Sequence, residues 1–301
     1  MDDPVPRSTP RRARAILLAV DGSDGARAAA RVAADISDRT GLALHVVHAW
    51  QDMETLLPSA PAIGLGRWSS DLLHEAEAVL AYAVTALQAQ GVMVAGSHLR
   101  QGRPMDVVHD LADETSAGLV VVGSSGAGPL ARLLLGTGSL GILETSQCAV
   151  LIVRAGGDPW PPQAIVVGDD GSEEAGAAAA MGRALASRMA VPLTLVRSYP
   201  ARLARAASNA SPEGEVLAAI ENELRQRLEA VQADTTCLRP GDPARTILEQ
   251  GDASRALIVV GRRGRGAISR LASGSVSRKV LHTYHGSVIV VPGGALPLPS
   301  P

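Results

Sequence analysis

Residues 15–37 read "AILLAVDGSDGARAAARVAADIS" and residues 164–187 read "AIVVGDDGSEEAGAAAAMGRALAS". Each stretch is an apolar strand, an Asp-Gly-Ser turn and an Ala-rich helix. The strands are continuous apolar runs, not alternating ones, which is the pattern of strands covered on both faces. A buried strand running straight into a helix opens a βαβ unit. Two copies, with Asp21 and Asp170 separated by 149 residues, mean the chain is written twice.

The correspondence continues to the end of each half. The strands "LALHVVHAW" and "PLTLVRSYP" end at Trp50 and Pro200. Amphipathic helices are expected over about 70–90 and about 213–232, where apolar residues recur at helical spacing. Next come "GRPMDVVHDLA" and "GDPARTILEQG", two glycine-rich loops, and the closing strands "AVLIV" and "SVIVV". Gly123 and Gly261 are 138 residues apart, so the first half is longer by a net 11, a surplus assigned to the Pro- and Gly-marked stretch "QDMETLLPSAPAIGLGRW".

Alternating short strands and helices imply a parallel sheet with right-handed crossovers. The reading is α/β: two tandem doubly wound domains of about five strands, with helices on both faces. The division expected is a disordered tail over 1–12, a first domain over 13–154, a Gly/Pro-rich linker over 155–162, a second domain over 163–294 and a tail over 295–301.

Bulk composition narrows the function. The chain has 301 residues, 46% hydrophobic and 19% charged, enough for about two cored domains. It has no Phe, 3 Trp and 3 Tyr, a poor supply of rings for stacking nucleic-acid bases. The formal net charge of -2 supplies no basic field for nucleic acid or acidic lipid. No apolar run approaches the roughly 20 residues that span a bilayer. The polar, Pro-rich start lacks the apolar middle of an export signal, so a cytoplasmic location is expected. Cys148 and Cys237 then read as reduced, inert thiols.

In open α/β sheets ligands bind beyond the carboxyl ends of the strands. Two features of each half sit there: the Asp-Gly-Ser turn and the glycine loop. The loops "GSSGAGPLARLLLGTGS" (residues 123–139) and "GRRGRGAISRLASGSVS" (residues 261–277) share the spacing G-x-x-G, nine residues, then G-[ST]. The motif residues are Gly123, Gly126, Gly136 and Thr137 in the first copy, and Gly261, Gly264, Gly274 and Ser275 in the second. Glycines let backbone N–H groups approach an anion, and the closing G-[ST] starts a helix whose N-terminus attracts one. Ser139 and Ser277 lie in the first turn of those helices and complete the candidate set. A lone loop of this kind is more often a turn; the repeated spacing makes a phosphate cradle.

Other phosphate loops fail. A Walker A loop needs Gly before its Lys, and the chain's one Lys, Lys279, has none. A dinucleotide fingerprint would follow the first strand, where Asp-Gly-Ser stands instead. The basic "GRRGRG" has an uncharged counterpart, "GSSGAG", so nucleic-acid binding would belong to one half only.

These residues resemble the universal stress protein family in its tandem, ATP-binding form. The strand-one Asp-Gly-Ser, the "LHVV" strand and above all G-x-x-G-x9-G-[ST] carry the likeness, over nearly the whole chain. The resemblance implies strand order 3-2-1-4-5 and one nucleotide site per domain, with ATP as ligand, with or without Mg²⁺. It places Asp21 and Asp170 beside the adenosine, the backbone of Val46 and Leu195 against adenine, and the motif glycines with Thr137 and Ser275 on ribose and phosphates. It also implies pairing through closing strands, as an internal pseudo-dimer and in a homodimer.

Departures from the family pattern are Ser124-Ser125 where the second half has Arg262-Arg263, Ala149 and Ser287 where Pro is common, and an extra acid, Asp169. Asp169 would repel phosphate if it pointed inward. His109, His282 and His285 lack partners in the other half and read as helix-face residues. The function expected is a regulatory nucleotide-binding stress protein with little turnover. The alternatives are a slow ATPase or phosphotransferase using Arg132 or Arg270, and an interaction module with empty sites.

Overall fold

The computed structural model describes residues 12–56, 65–124, 137–157, 160–205, 211–262 and 274–299. Gly126, Gly136 and Gly264, with Arg132 and Arg270, lie outside the described residues.

The first half runs β1 (Ala15–Ala19), α1 (Asp24–Thr40), β2 (Ala43–Trp50), α2 (Met53–Leu56), α3 (Leu65–Gln88), β3 (Val94–Gln101), α4 (Pro104–Thr115), β4 (Ala117–Gly123), α5 (Thr137–Thr145) and β5 (Ala149–Val153). The second runs β6 (Ala164–Gly168), α6 (Glu173–Met189), β7 (Leu193–Tyr199), α7 (Pro212–Val231), β8 (Thr235–Pro240), α8 (Pro243–Ser254), β9 (Ala256–Gly261), α9 (Ser275–Thr283) and β10 (Val288–Val291). A short 3-10 turn, Ala201–Arg205, follows β7.

Within each half all neighbours are parallel, in the order β3-β2-β1-β4-β5 and β8-β7-β6-β9-β10. The 3-2-1-4-5 order is therefore present twice. The halves join where β5 and β10 pair antiparallel, Val288 with Ile152, Ile289 with Leu151 and Val290 with Val150, making one ten-stranded sheet. Two apolar strands that would each end a sheet cover one another, which removes both edges from solvent. The pseudo-dimer expected from the duplication is thus formed inside the chain.

Apolar layers cover both faces of the sheet and cross the junction. On one face α1, α3, α6 and α7 bury Val32, Ile36, Leu87, Leu185 and Leu224. On the other, α4, α5, α8 and α9 bury Val108, Leu143, Ile247 and Leu281. Among the described residues three arginines cross between the halves, and one of them, Arg39, donates to the Arg188 carbonyl at 3.3 Å near the end of α6. Arg262, just after β9, donates to the carbonyls of Glu144 (3.3 Å) and Ser146 (2.6 Å) at the end of α5. Arg154, just after β5, donates to the carbonyl of Leu281 near the end of α9. Each places a cation on a helix C-terminus, where the unpaired carbonyls are negative.

The described parts of the segments expected as linker and tail are packed. Trp160 donates from Nε1 to Asp35 Oδ2 at 2.8 Å and packs against the apolar layer of α1. After β10 the chain returns to the first half: Ala13 N donates to Pro297 O at 3.2 Å, and Leu298 is buried. Leu296 and Leu298 supply the apolar surface that holds 295–299 down, so this stretch is part of the core and not a tail.

The length surplus is spread over three places. Equivalent bonds at the ends of α3 and α7, Val92 N to Leu87 O and Ala233 N to Leu228 O, put the halves 141 residues apart there. Most of the excess therefore falls between the end of β2 and the end of α3, two residues before the helix and six in its earlier start at Leu65, so the stretch expected as a loop ends inside the helix. The β2–β3 ladder shifts register between Leu44 and His45, and the β1–β4 ladder between Ala15 and Ile16; neither shift has a counterpart in the second half. At the second, Gly118 is the extra residue, and a Cβ there would strike Ala13.

Candidate functional site

The Asp-Gly-Ser turns are built alike, and each residue type has a local cause. Gly22 and Gly171 hold φ of 78° and 77°, where a side chain is strained. Ser23 and Ser172 are N-caps whose hydroxyls accept from Ala26 N and Ala175 N at 3.1 Å. Asp21 and Asp170 each accept through Oδ1 from the backbone N of Ser23 or Ser172 at 3.0 Å. That leaves Asp21 Oδ2, at the carboxyl end of β1, without a hydrogen-bond partner among the described residues.

A cavity of about 120 Å³ opens beside it at the strand ends. Its walls come from Ala19 to Asp21 after β1, Val47 to Ala49 at the end of β2, Val122 and Gly123 at the end of β4, Pro104 and Val108 on α4, and Gly138, Ser139 and Ile142 on α5. The structure thus brings Asp21, Gly123 and Ser139 together. Val46 is fully buried in the apolar core and does not line the cavity. The β2 wall ends at Ala49, three residues nearer the carboxyl end; Leu195 is likewise fully buried, and the residue matching Ala49 is Ser198.

The glycine loops leave their strands in the same way. Ser124 N donates to Val153 O and Arg262 N to Val291 O, both at 2.7 Å. Gly123 lies against the backbone of Gly25 in the first turn of α1, where a Cβ on either would collide. Gly123 is therefore required by packing whatever it binds, and Gly25, which sequence reading passed over, is its partner. Ser139 Oγ donates to Gly123 O at 2.9 Å; Ser277 Oγ donates to Gly274 O at 3.0 Å and lies 3.3 Å from Arg262 O. These hydroxyls tie the helix start back to the loop start. Thr137 and Ser275 begin α5 and α9. Gly274 is the N-cap of α9 and no side chain caps it, so the first-turn N–H groups have no capping partner among the described residues.

The second half repeats the frame with different side chains. Ser198 Oγ donates to Thr246 Oγ1 at 3.0 Å, where the first half has Ala49 and Val107. Lys279 pairs with Asp242, the N-cap of α8, and its hydrogen bond holds that carboxyl below the usual range. Asp169 turns away from the strand ends. Its carboxylate is fully buried, 2.6 Å from Arg197 Nη2, accepts from Gly171 N at 3.1 Å, and has Arg227 Nε at 3.7 Å; Arg197 also reaches Glu223 at 3.0 Å. Asp169 does not take the orientation in which it would repel phosphate, because Arg197 and Arg227 compensate its charge inside the domain. In the first half Val20 and His48 stand at the positions of Asp169 and Arg197, and His48 Nδ1 donates to Val20 O at 2.7 Å.

Among the described residues no group of three or more His, Cys, Asp or Glu could hold a metal, and no helix is long and apolar enough to cross a membrane.

A duplicated, doubly wound α/β chain with a strand-end cavity between an Asp-Gly-Ser turn and a glycine loop is the class that fold and site define. The model of the universal stress protein family matches residues 13–154 and again 162–292, so the chain belongs to that family in tandem form. Universal stress protein Rv2005c of Mycobacterium tuberculosis is 31% identical over 304 residues, covering 94% of this chain and 98% of that protein. Rv2623 of the same organism is 30% identical over 290 residues, covering 91% and 95%. Among solved structures, a universal stress protein from Archaeoglobus fulgidus superposes with a TM-score of 0.71 at 19% identity, over 93% of this chain and 98% of that one, a likeness of fold.

Proposed function

We propose that this chain is an ATP-binding regulatory stress protein that holds nucleotide with little or no turnover. The observation that carries the reading is the first half's cavity, where Asp21, whose Oδ2 has no partner among the described residues, and the loop-helix start at Gly123 and Ser139 face one space. Ala49 and Val108 give the cavity apolar walls for a base. Asp21 would accept from ribose hydroxyls. The N–H groups at the start of α5 would take the phosphates, by themselves or with Mg²⁺. In the second half the same parts are Asp170, Gly261, Gly274, Ser275 and Ser277, and the uncapped start of α9 favours an anion there. Lys279 and Arg262 are committed to Asp242 and to the end of α5, so neither serves as a phosphoryl-transfer cation. A homodimer of whole chains would use another surface, because β5 and β10 already pair with one another.

The test is to heat-denature fresh protein, assay the supernatant for adenine nucleotide, and follow thermal unfolding with added ATP and Mg²⁺. Bound or stabilising nucleotide is expected, with Gly136→Asp and Gly274→Asp each removing part of the shift. No nucleotide and no shift would leave the empty-module reading standing, and sustained ADP release would make the chain an ATPase.

A further inference from the structure

The two halves differ on the sheet face covered by α1, α3, α6 and α7, in the groove between α1 and α3 and its counterpart between α6 and α7. In the first half α1 and α3 enclose a cavity of about 180 Å³, closed at one end by Val20, Gly22 and Ser23. Small side chains make the space: Ala26 and Ala30 on α1 face Ala83 and Ala86 on α3, over a floor that includes Leu87. The helix-end bonds that align α3 with α7 set Ala83 opposite Leu224 and Ala86 opposite Arg227. In the second half Leu224 is buried, and Arg227 lies across Gly176 to reach Ser172 O (3.2 Å) and Asp169. One repeat is plugged by its own side chains and the other is open.

The open cavity is apolar inside and basic at its mouth. Arg27 and Arg31 stand at the rim with Tyr82, which is 63% exposed. Arg27 is occupied by Asp24 and Gly22 O. Arg31 makes no hydrogen bond or ion pair with the described residues. In volume the space exceeds the engineered cavity of about 150 Å³ that holds benzene. We infer that the first domain carries a binding site for a small amphipathic anion, one ring-sized apolar group bearing a carboxylate, its ring between α1 and α3 and its head on Arg31. This site is separate from the strand-end cavity and shares only the wall residue Val20 with it.

The experiment is calorimetric titration of the full chain with 3-phenylpropionate, with 3-phenylpropionamide as the uncharged control. One saturable site per chain is expected. Ala83→Leu, which installs the second repeat's plug, should weaken binding at least about tenfold, the change that filling an apolar site produces. Arg31→Gln, a surface change that spares folding, should weaken the acid about threefold to tenfold and leave the amide unchanged, as loss of one exposed charge-assisted contact does. No saturation by about 10 mM, far weaker than the millimolar range of a weak specific site, overturns the inference. So does acid binding that is indifferent to Arg31→Gln. Binding that survives Ala83→Leu in a folded protein but is lost in Ala49→Leu would assign the acid to the strand-end cavity and also overturn it.

Discussion

The guanidinium of Arg197 lies 2.6 Å from the carboxylate of Asp169, and both side chains are buried inside the second domain. Removing one member of such a pair leaves an uncompensated charge in an apolar layer, at a cost of about 3–5 kcal/mol. Arg197→Leu should therefore lower the denaturant midpoint of the chain sharply. Asp169→Asn should also destabilise it, yet leave any ATP-induced thermal shift in place, because the carboxylate does not face the strand ends. A tighter nucleotide site in Asp169→Asn would contradict the geometry.

Arg262 bridges the halves at the end of α5. Arg262→Ala should cost about 1–2 kcal/mol, the scale of a charge-assisted bond at a helix terminus. The loss should show as an earlier urea transition of the full chain. An unchanged midpoint would mean the β5–β10 ladder holds the junction without it.

The two thiols should react at very different rates. Burial, with a smaller contribution from Asp113, pushes the Cys148 thiol up to about 11, and its Sγ donates to Ala117 O at 3.0 Å. The thiolate is the nucleophile, so native Cys148 should resist a disulfide reagent at pH 8 while half-buried Cys237 is modified first. Counting thiols before and after denaturation decides it; two fast equivalents in the native state would be the wrong result.

His45 and His98 stack on adjacent strands, with Nδ1 and Nε2 3.0 Å apart, a bond that needs at least one neutral ring. Burial lowers both pKa values, and for His98 the neighbouring His45 and Arg100 lower it further against Glu114. The folded pKa values thus lie below the unfolded value of about 6.5. The unfolded chain binds more protons in that window, so the stability these rings contribute is complete above about pH 6.5 and is lost as pH falls through their folded values. Melting temperature should drop from pH 7.5 to pH 5.5, and His45→Thr, which takes the residue of the second repeat, should flatten the drop. A steeper drop in that variant would reverse the assignment.

Much of this architecture was legible in the residues. Continuous apolar strands, Asp-Gly-Ser caps and two matched glycine loops define the doubling, the parallel halves and the strand ends as the site. The rest depends on contacts that spacing does not encode. Asp169 and Arg197 are 28 residues apart and meet only because β6 and β7 are neighbours, so the direction of that carboxylate is a tertiary fact. Val46 comes from the family resemblance alone, whereas the β2 residues that line the strand-end cavity are Val47, His48 and Ala49. The strap over 295–299 had a weak signal, Leu296 and Leu298 alternating with prolines, which composition alone reads as a tail.

The antiparallel meeting of β5 with β10 has a consequence for how the protein behaves at low abundance. Two separate copies joined along such strands would part on dilution. Here one backbone carries both, so their meeting depends on tether length and not on how many molecules the cell holds. The covalent union also lifts a constraint of symmetry. Identical partners must carry identical sites, whereas these repeats have drifted apart, one closing its helix groove with Leu224 and Arg227 while the other keeps it open, in a fixed one-to-one ratio. A single molecule can then keep a cavity in one repeat and a brace in the other.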